Sequence, residues 1–379
     1  MKKVLFFTTS GDYHGGGVMC LIETLKYIDR KKIEPYVVIP THGSTENKLK
    51  ELSVPYVIIR SYDWLFSNSV IQSKGFKIKR PLQCLVNILS EIRIYLYMRR
   101  KKVDAYHLNS VYSSFGFKAA MMLKIPTYWH LREFVDDNPW TSSFLNEKKA
   151  YQTIAKAHKL IAVSNCIGNY YQTKMPNAHI VVVYDGVDFN SELTIRKQMI
   201  LHKPLQLSMI GGISEVKGHE DALYAVSLLK KSGIDCVLTI YGRCRDNDYF
   251  KYLNNIIRKC EIEDIVRFAG NRSDIQHVYE DSDIVLICSR SESFGRVAVE
   301  CMYQNIPVIG ADNSGTLELI KDGIFGLLYK TGDSHDLYQK IIAITKRRVP
   351  SKDFNRMHDY SLRFSAIESS KNLSKALLS

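Results

Sequence analysis

The chain has 379 residues, 45% of them apolar and 24% charged, which allows two domains of middling size and excludes wholesale disorder. Its formal charge of +13 points to an anionic partner. Nine basic residues between Lys74 and Lys102, against the single acid Glu91, carry +8 of that excess.

The N-terminal KKVLFFTTSG has an apolar run, Val4 to Phe7, too short for a signal peptide, and it reads as a first strand over 3–9. No window approaches the roughly 18 uninterrupted apolar residues of a spanning helix. Eight cysteines are scattered with no CxxC pair, which fits neither a zinc site nor a disulfide framework. They read as small core residues of a protein in a reducing cytosol. Gly15, Gly16 and Gly17 follow the first strand and precede a helix over 18–28. Such a loop lets a backbone touch a phosphate or sugar. It is not GxGxxG, and no acidic ribose clamp follows about 20 residues on, as a dinucleotide site would need.

Strands are expected at 35–40 and 54–59, before a segment, 61–102, that interleaves Trp64, Phe66, Phe76 and Tyr97 with the basic cluster. Its second part reads as a helix with Leu82, Leu85, Val86, Leu89, Ile92 and Tyr95 on one side, a stripe expected to pack on the sheet. The basic residues at its ends would then suit anionic headgroups or a diphosphate-linked lipid. Further strands are expected at 104–109, 126–130, 159–163 and 179–184. His130 ends one of them, where parallel sheets present ligand groups, and His107 and Asn109 share that placement.

The polar stretch 185–204 reads as an interdomain linker, after which the pattern restarts with strands at 205–211, 235–241, 264–269, 283–288, 306–310 and 326–329. Helical stretches between them, such as 219–231 and 297–303, complete βαβ units and parallel sheets. The end, 351–379, reads as terminal helix. Beyond the strand DIVLICS, Glu292 and Glu300 stand on either side of a helix start formed by Ser293, Phe294 and Gly295. At about 1.5 Å per residue their Cα atoms lie roughly 10–12 Å apart, too far to share a proton but suited to gripping two parts of an extended ligand. The free N–H groups between them favour an anion such as a diphosphate. Asp281-x-Asp283 mimics a metal-binding DxD pair but precedes its strand, so no metal is expected there.

Residues 283–333 resemble the donor-binding half of glycosyltransferase family 4 through Glu292, Phe294, Gly295, Glu300, Pro307, Gly315, Glu318, Asp322, Gly323 and Gly326. Upstream, MIGGISEVKGHEDAL is similar to the family's Gly-Arg-Leu-Ser-x-x-Lys-Gly segment, with Lys217 on its phosphate-binding lysine. A lysine at a loop-to-helix junction is suited to neutralising a departing diphosphate. The family's arginine is replaced by Gly212, and Arg243, Arg290 or Arg296 could supply the missing charge. IVRFAGN, ending at Asn271, resembles the strand whose following loop touches the nucleotide base, and VVVYDGVD resembles the family's domain crossover with Asp185 in place of asparagine.

The resemblance implies a GT-B fold, two facing Rossmann-like domains with a cleft between them: 1–186 for the acceptor, with helix 359–379 packing back on it, and 187–358 for the donor. It implies retaining, hexosyltransferase-type transfer from a nucleoside-diphosphate sugar, with no cofactor and no obligatory metal. Glu292, Lys217 and His130 would be catalytic; Gly15–Gly17, Gly212, Lys217, Asn271, Ser293, Phe294, Gly295, Arg296 and Glu300 would bind the donor. With the basic cluster, the implied role is a cytoplasmic enzyme held at the inner face of an anionic membrane. It would extend a lipid-linked saccharide in surface polysaccharide synthesis. Two rivals are a sugar-nucleotide epimerase on the same fold and a basic nucleic-acid-binding protein. The second lacks any RNA-binding signature among its aromatics.

Overall fold

A computed structural model describes residues 1–13, 15–67, 70–71, 73–135, 142–189, 194–197, 201–244, 246–272, 275–320, 326–346 and 351–379. The chain divides into two units, Met1–Asp188 with Ala366–Ser379, and Phe189–Ser365.

The first unit is a seven-stranded parallel sheet. Its strands are β1 (Lys2–Phe7), β2 (Ile33–Ile39), β3 (Tyr56–Ile58), β5 (Ala105–Leu108), β6 (Thr127–Leu131), β8 (Lys159–Ala162) and β9 (Ile180–Val182), in the order β3-β2-β1-β5-β6-β8-β9. β4 (Leu65–Ser67) and β7 (Ser142–Phe144), which the sequence pattern did not suggest, form a separate antiparallel pair. Its partners lie some 75 residues apart, so no local signal announces it. The sheet strands are apolar on both faces because helices cover both, and Val4, Phe6, Val37, Ile39 and Ile161 are fully buried. Helix α1 (Gly16–Tyr27) and the C-terminal helix Ala366–Leu378 pack together, and Ser370 Oγ donates to Thr24 O at 3.0 Å. The terminal stretch is thus not one helix: Ser365 turns extended after a buried Phe364, and the last helix restarts at Ala366, whose N–H donates to Val187 O at 2.8 Å.

The basic segment forms one 28-residue helix, α2 (Lys74–Lys101), and here an expectation is overturned. The apolar stripe does not pack on the sheet. Of the six residues expected on it, Val86 and Tyr95 are half-buried, while Leu82, Leu85, Leu89 and Ile92 form with Ile78 and Leu96 an outward stripe, spaced alternately by four and three and 52–78% exposed, and Ile88 beside them is 60% exposed. The inward face is instead largely polar and fully occupied. Asn87 exchanges hydrogen bonds with Tyr62 N and O, Ser90 Oγ donates to Arg60 O, and Glu91 accepts from Gly116 N and Ala119 N. Only Ile94 and Met98 add buried apolar side chains. The periodicity in the sequence is real, but which side of a helix meets the fold depends on what the rest of the chain offers it.

The second unit is a six-stranded parallel sheet of β10 (Leu205–Ile210), β11 (Cys236–Tyr241), β12 (Val266–Gly270), β13 (Ile284–Ile287), β14 (Val308–Ala311) and β15 (Leu327–Tyr329), ordered β12-β11-β10-β13-β14-β15. Leu207, Leu238, Ile240, Ile284 and Ile309 form its core with α3 (His219–Lys231) and α4 (Ser334–Lys346). The break between the two units falls within the stretch read as a linker, and two described residues beyond it have partners here. The Phe189 ring stacks on Tyr303 at 4.0 Å, and Arg196 donates to the carbonyls of Tyr279 and Glu280. Among the described residues no helix is long and apolar enough to cross a membrane.

Candidate functional site

In each sheet the strand order reverses once, between β1 and β5 and between β10 and β13. Neighbouring connections there leave in opposite directions and open a crevice at the C-terminal strand ends, where α/β proteins hold ligands. Gly15–Gly17 and Asn109 sit at the first of these places and Lys217 and Glu292 at the second, while His130 ends the neighbouring strand β6 and Asn271 follows the edge strand β12.

In the second unit the loop after β10 carries Gly211, Gly212 and the short turn Glu215–Lys217, and the loop after β13 carries Ser289 to Gly295. Gly218 has φ +61°, and a Cβ there would lie 2.2 Å from Cys288 O, so only glycine lets the loops come this close. Arg290 N donates to Val216 O at 2.7 Å across the same junction. The result brings Lys217 Nζ to 2.7 Å from Glu292 Oε2, an oxygen that also accepts from Ser289 Oγ at 3.0 Å. Lys217 and Glu292 keep 32% and 20% side-chain exposure, so the pair is fixed yet reachable.

Helix α5 (Arg296–Tyr303) starts beside the pair with Gly295 as its N-cap, and no side chain caps it. Phe294 is buried against Phe364, so it offers a ligand backbone only; Ser293 and Arg296 are half-buried. Glu300, one turn on, accepts from the Tyr279 hydroxyl and has Arg296 Nη2 at 3.8 Å. Burial, then Glu300, pushes the Tyr279 phenol well above its ordinary range, so it stays a donor. Tyr279 carried no sequence signal, being one apolar-side residue of a short helix.

The three arginines considered for the charge missing at Gly212 are now distinct. Arg290 is spent inside the fold, with Nη1 and Nη2 donating to buried Asp221 at 2.5 and 2.8 Å, and the bond to Asp221 raises its pKa. Arg296 leans toward Glu300. Arg243 is exposed on the loop after β11, bound to the Gly212 loop through Ile213 N donating to Arg243 O at 3.0 Å. A side chain at Gly212 would meet nothing nearer than Arg243 O at 3.9 Å, so that corner is open. Asn271, after β12, is exposed. Asp283 is completely buried and holds the fold, accepting from His202 N, His202 Nδ1 and Gln206 N at 2.7–3.0 Å. Asp322 and Gly323 lie outside the described residues.

In the first unit, Gly15 caps α1 with φ +83°, and side chains at Gly15 or Gly16 would meet no protein atom within 4 Å, so space lies over this loop. Asn109 Nδ2 ties it to β5 by donating to Gly17 O at 2.7 Å. Behind it runs a buried chain that sequence reasoning saw only in pieces. Arg132 donates to Asn109 Oδ1 at 3.2 Å and to Asp185, and its Nη2 lies 3.4 Å from His130 Nδ1. A guanidinium can only donate, so His130 Nδ1 accepts, and His107 Nε2, 3.2 Å away, donates to it as well. His130 therefore carries its proton on Nε2, which is buried and, among the described residues, has no hydrogen-bond partner. Burial, then Arg132 and His107, hold His130 well below its ordinary pKa, and burial with Arg132 lowers His107 to about 3. Both rings are neutral near pH 7, so His130 can donate a hydrogen bond to an oxygen but is no cationic acid.

Two doubly wound parallel units, of seven and six strands, define the class of protein with the GT-B fold. The chain belongs to glycosyltransferase family 4: residues 14–191 match Glycosyltransferase Family 4 and residues 190–361 match Glycosyl transferases group 1. N-acetyl-alpha-D-glucosaminyl L-malate synthase of Bacillus anthracis is 27% identical over 200 residues, 51% of each chain. The amylovoran biosynthesis glycosyltransferase AmsK of Erwinia amylovora is 26% identical over 197 residues, 50% of this chain and 45% of that one. The chain spans about half the length of these relatives. HepE of Anabaena, crystallised with UDP-glucose, shares the fold with a TM-score of 0.78 at 22% identity over 100% of both chains.

Proposed function

We propose that this chain transfers a sugar from a nucleoside-diphosphate sugar, with retention and without a metal, to a lipid-linked saccharide in surface polysaccharide synthesis at the inner face of a membrane. The observation that carries the reading is the Lys217–Glu292 pair at the strand-order reversal, beside the uncapped α5 start. In this reading Lys217 and the first N–H groups of α5 stabilise the charge that grows on the leaving diphosphate. Glu292 positions Lys217 and accepts from a donor sugar hydroxyl. Arg243 supplies the second cation where Gly212 has none. Glu300, oriented by Tyr279, accepts from the ribose hydroxyls, and the loop at Asn271 meets the base through its backbone. The Nε2–H of His130 donates to a sugar or phosphate oxygen, and Gly15–Gly17 let a ligand lie against the backbone. UDP-glucose in HepE makes a uridine nucleotide the first donor to try. AmsK's role in amylovoran synthesis supports a polysaccharide acceptor. The carboxylate of Asp283, fully used inside the fold, supports metal independence.

The test is a panel of UDP-, GDP- and ADP-sugars scored by ligand-dependent melting, then by transfer to membrane lipid extracts. One nucleotide series should raise the melting temperature. Conversion of the donor without any acceptor would replace transfer by epimerisation, and a panel with no stabilising member would overturn the reading.

A further inference from the structure

Besides the sites above, the first unit holds a cavity of about 420 Å³ under helix α2. That volume is within the range of small-molecule sites, about 300–1,000 Å³. Its walls are predominantly apolar and aromatic, with Trp64, Ile88, Phe115, Phe117 and Phe144, and the one carboxylate among its lining residues, Glu91, is held by the backbone N–H groups of Gly116 and Ala119. Trp64 is braced by stacking on Trp129 at 5.7 Å and by its Nε1 donating to Val111 O, so the wall is rigid. Arg80, Lys118 and Lys149 also line it. The Lys118 and Lys149 side chains are exposed, and the Arg80 guanidinium lies over the rings of Phe66 and Phe76 at 4.9 and 5.8 Å. An apolar interior under a basic rim is complementary to a molecule with a hydrocarbon tail and an anionic head.

The outside of α2 makes the same demand independently. Its exposed stripe from Ile78 to Leu96 is the inverse of a helix built to face water. Lys74 and Lys77 before it, Lys79 and Arg93 within its span, and Arg99, Arg100, Lys101 and Lys102 after it are exposed, while the helix's one acid, Glu91, is turned inward onto Gly116 and Ala119. Ile88 belongs to both features, exposed beside the stripe and lining the cavity. A second copy of the chain does not fit this surface. Parallel or antiparallel pairing of two such stripes would set basic ends against basic ends with no acid to compensate. An anionic bilayer supplies both the apolar layer and the negative charge.

We propose that α2 lies in the interface of an anionic membrane by its outward stripe, and that the cavity beneath it receives the hydrocarbon chain of an anionic lipid. This goes beyond the transfer reading, naming the lipid-binding site without requiring that any sugar be moved. The test uses the full chain with phosphatidylglycerol or phosphatidylcholine vesicles, the former also with chain-brominated phosphatidylglycerol, which quenches nearby tryptophan. Association should be at least about tenfold stronger for phosphatidylglycerol and weaken with salt. Brominated chains should quench a fluorescence component that Trp64→Phe removes without preventing sedimentation with vesicles. Because Trp64→Phe could disturb its surroundings, Lys118→Gln/Lys149→Gln, on exposed side chains, provides a second arm and should reduce quenching with melting unchanged. Leu85→Glu/Leu89→Glu/Ile92→Glu should abolish association, also without a change in melting. Vesicle binding with no chain quenching would overturn the cavity assignment. Indifference to lipid charge, or a concentration-dependent dimer abolished by the triple Glu variant, would overturn the membrane face. UDP-dependent stabilisation, measured on the same variants, reports on the transfer reading alone, so the two can fail separately.

Discussion

Replacing Arg290 and Arg243 in turn separates a cation that holds the fold from one that meets the ligand. Arg290→Gln removes both guanidinium bonds from Asp221, leaving that buried carboxylate, among the described residues, with the Tyr329 hydroxyl at 2.7 Å and Gly332 N at 3.1 Å. Breaking a buried pair from one side costs about 3–5 kcal/mol, and the one-third exposure of Arg290 places this case near the lower end, at about 3 kcal/mol. For a domain of this size 1 kcal/mol moves the midpoint by about 2–4 °C, so melting should fall by about 6–12 °C. The folded fraction should still bind UDP with unchanged affinity. Arg243→Gln removes an exposed side chain and should leave melting within about 0.5 kcal/mol of the parent. It should weaken UDP by about 1.5–3 kcal/mol, the range for a hydrogen bond to a charged group, or about 10- to 150-fold. Thermal denaturation followed by circular dichroism and calorimetric titration with UDP give both quantities. If Arg290→Gln melts like the parent but loses UDP, Arg290 is the ligand's cation and the assignment is reversed.

Glu292→Ala should abolish transfer with the fold intact, as judged by melting; normal turnover would remove it from the mechanism. Glu300→Ala should mainly weaken nucleotide binding, by about 1–3 kcal/mol, read by the same titration. Transfer should survive excess EDTA, and loss restored by manganese or magnesium would bring Asp281 back into consideration. Acid should destabilise the first unit through the buried His107 and His130. The unfolded chain binds protons at about 6.5, whereas the folded state holds His107 neutral until about 3 and His130 likewise suppressed. The unfolded state therefore binds more protons below about 6.5, and stability falls with pH by about 1.4 kcal/mol per unit for each ring. Glu133 acts oppositely, because burial raises its carboxyl to about 7 and its contribution is lost as pH rises from about 4.5 to 7. The acid limb should thus be shallow above about pH 4.5, steeper below it, and flattened in His130→Gln; an unchanged limb in that variant would refute the buried-neutral assignment.

What the sequence by itself determined is local and repetitive. Runs such as VLFF and DIVLIC, alternating with amphipathic stretches, already dictate parallel strands under helices, because both faces of each strand must be apolar. The placement of Glu292 followed from the same alternation, since the loop just after a parallel strand lies at the C-terminal sheet end where ligands bind, whereas Lys217 stood out through its resemblance to the family's phosphate-binding lysine. Tertiary structure alone decided which charges are free and which faces are covered. Arg290, Arg243 and Arg296 are equivalent in the sequence, yet Asp221, about 70 positions away, takes the first into the fold and leaves the second at the surface. His130 is a strand-end histidine by pattern, but only the guanidinium of Arg132 and the ring of His107 settle which nitrogen bears its proton. The stripe on α2 was visible as a period and was expected to pack inward. It points outward because Arg60, Tyr62, Gly116 and Ala119 offer backbone groups that the opposite, polar side of the helix satisfies. A period says that a helix has two unlike sides. Which of them the protein keeps for itself depends on partners distant in the chain, since a buried polar group must find a hydrogen bond wherever the fold supplies one.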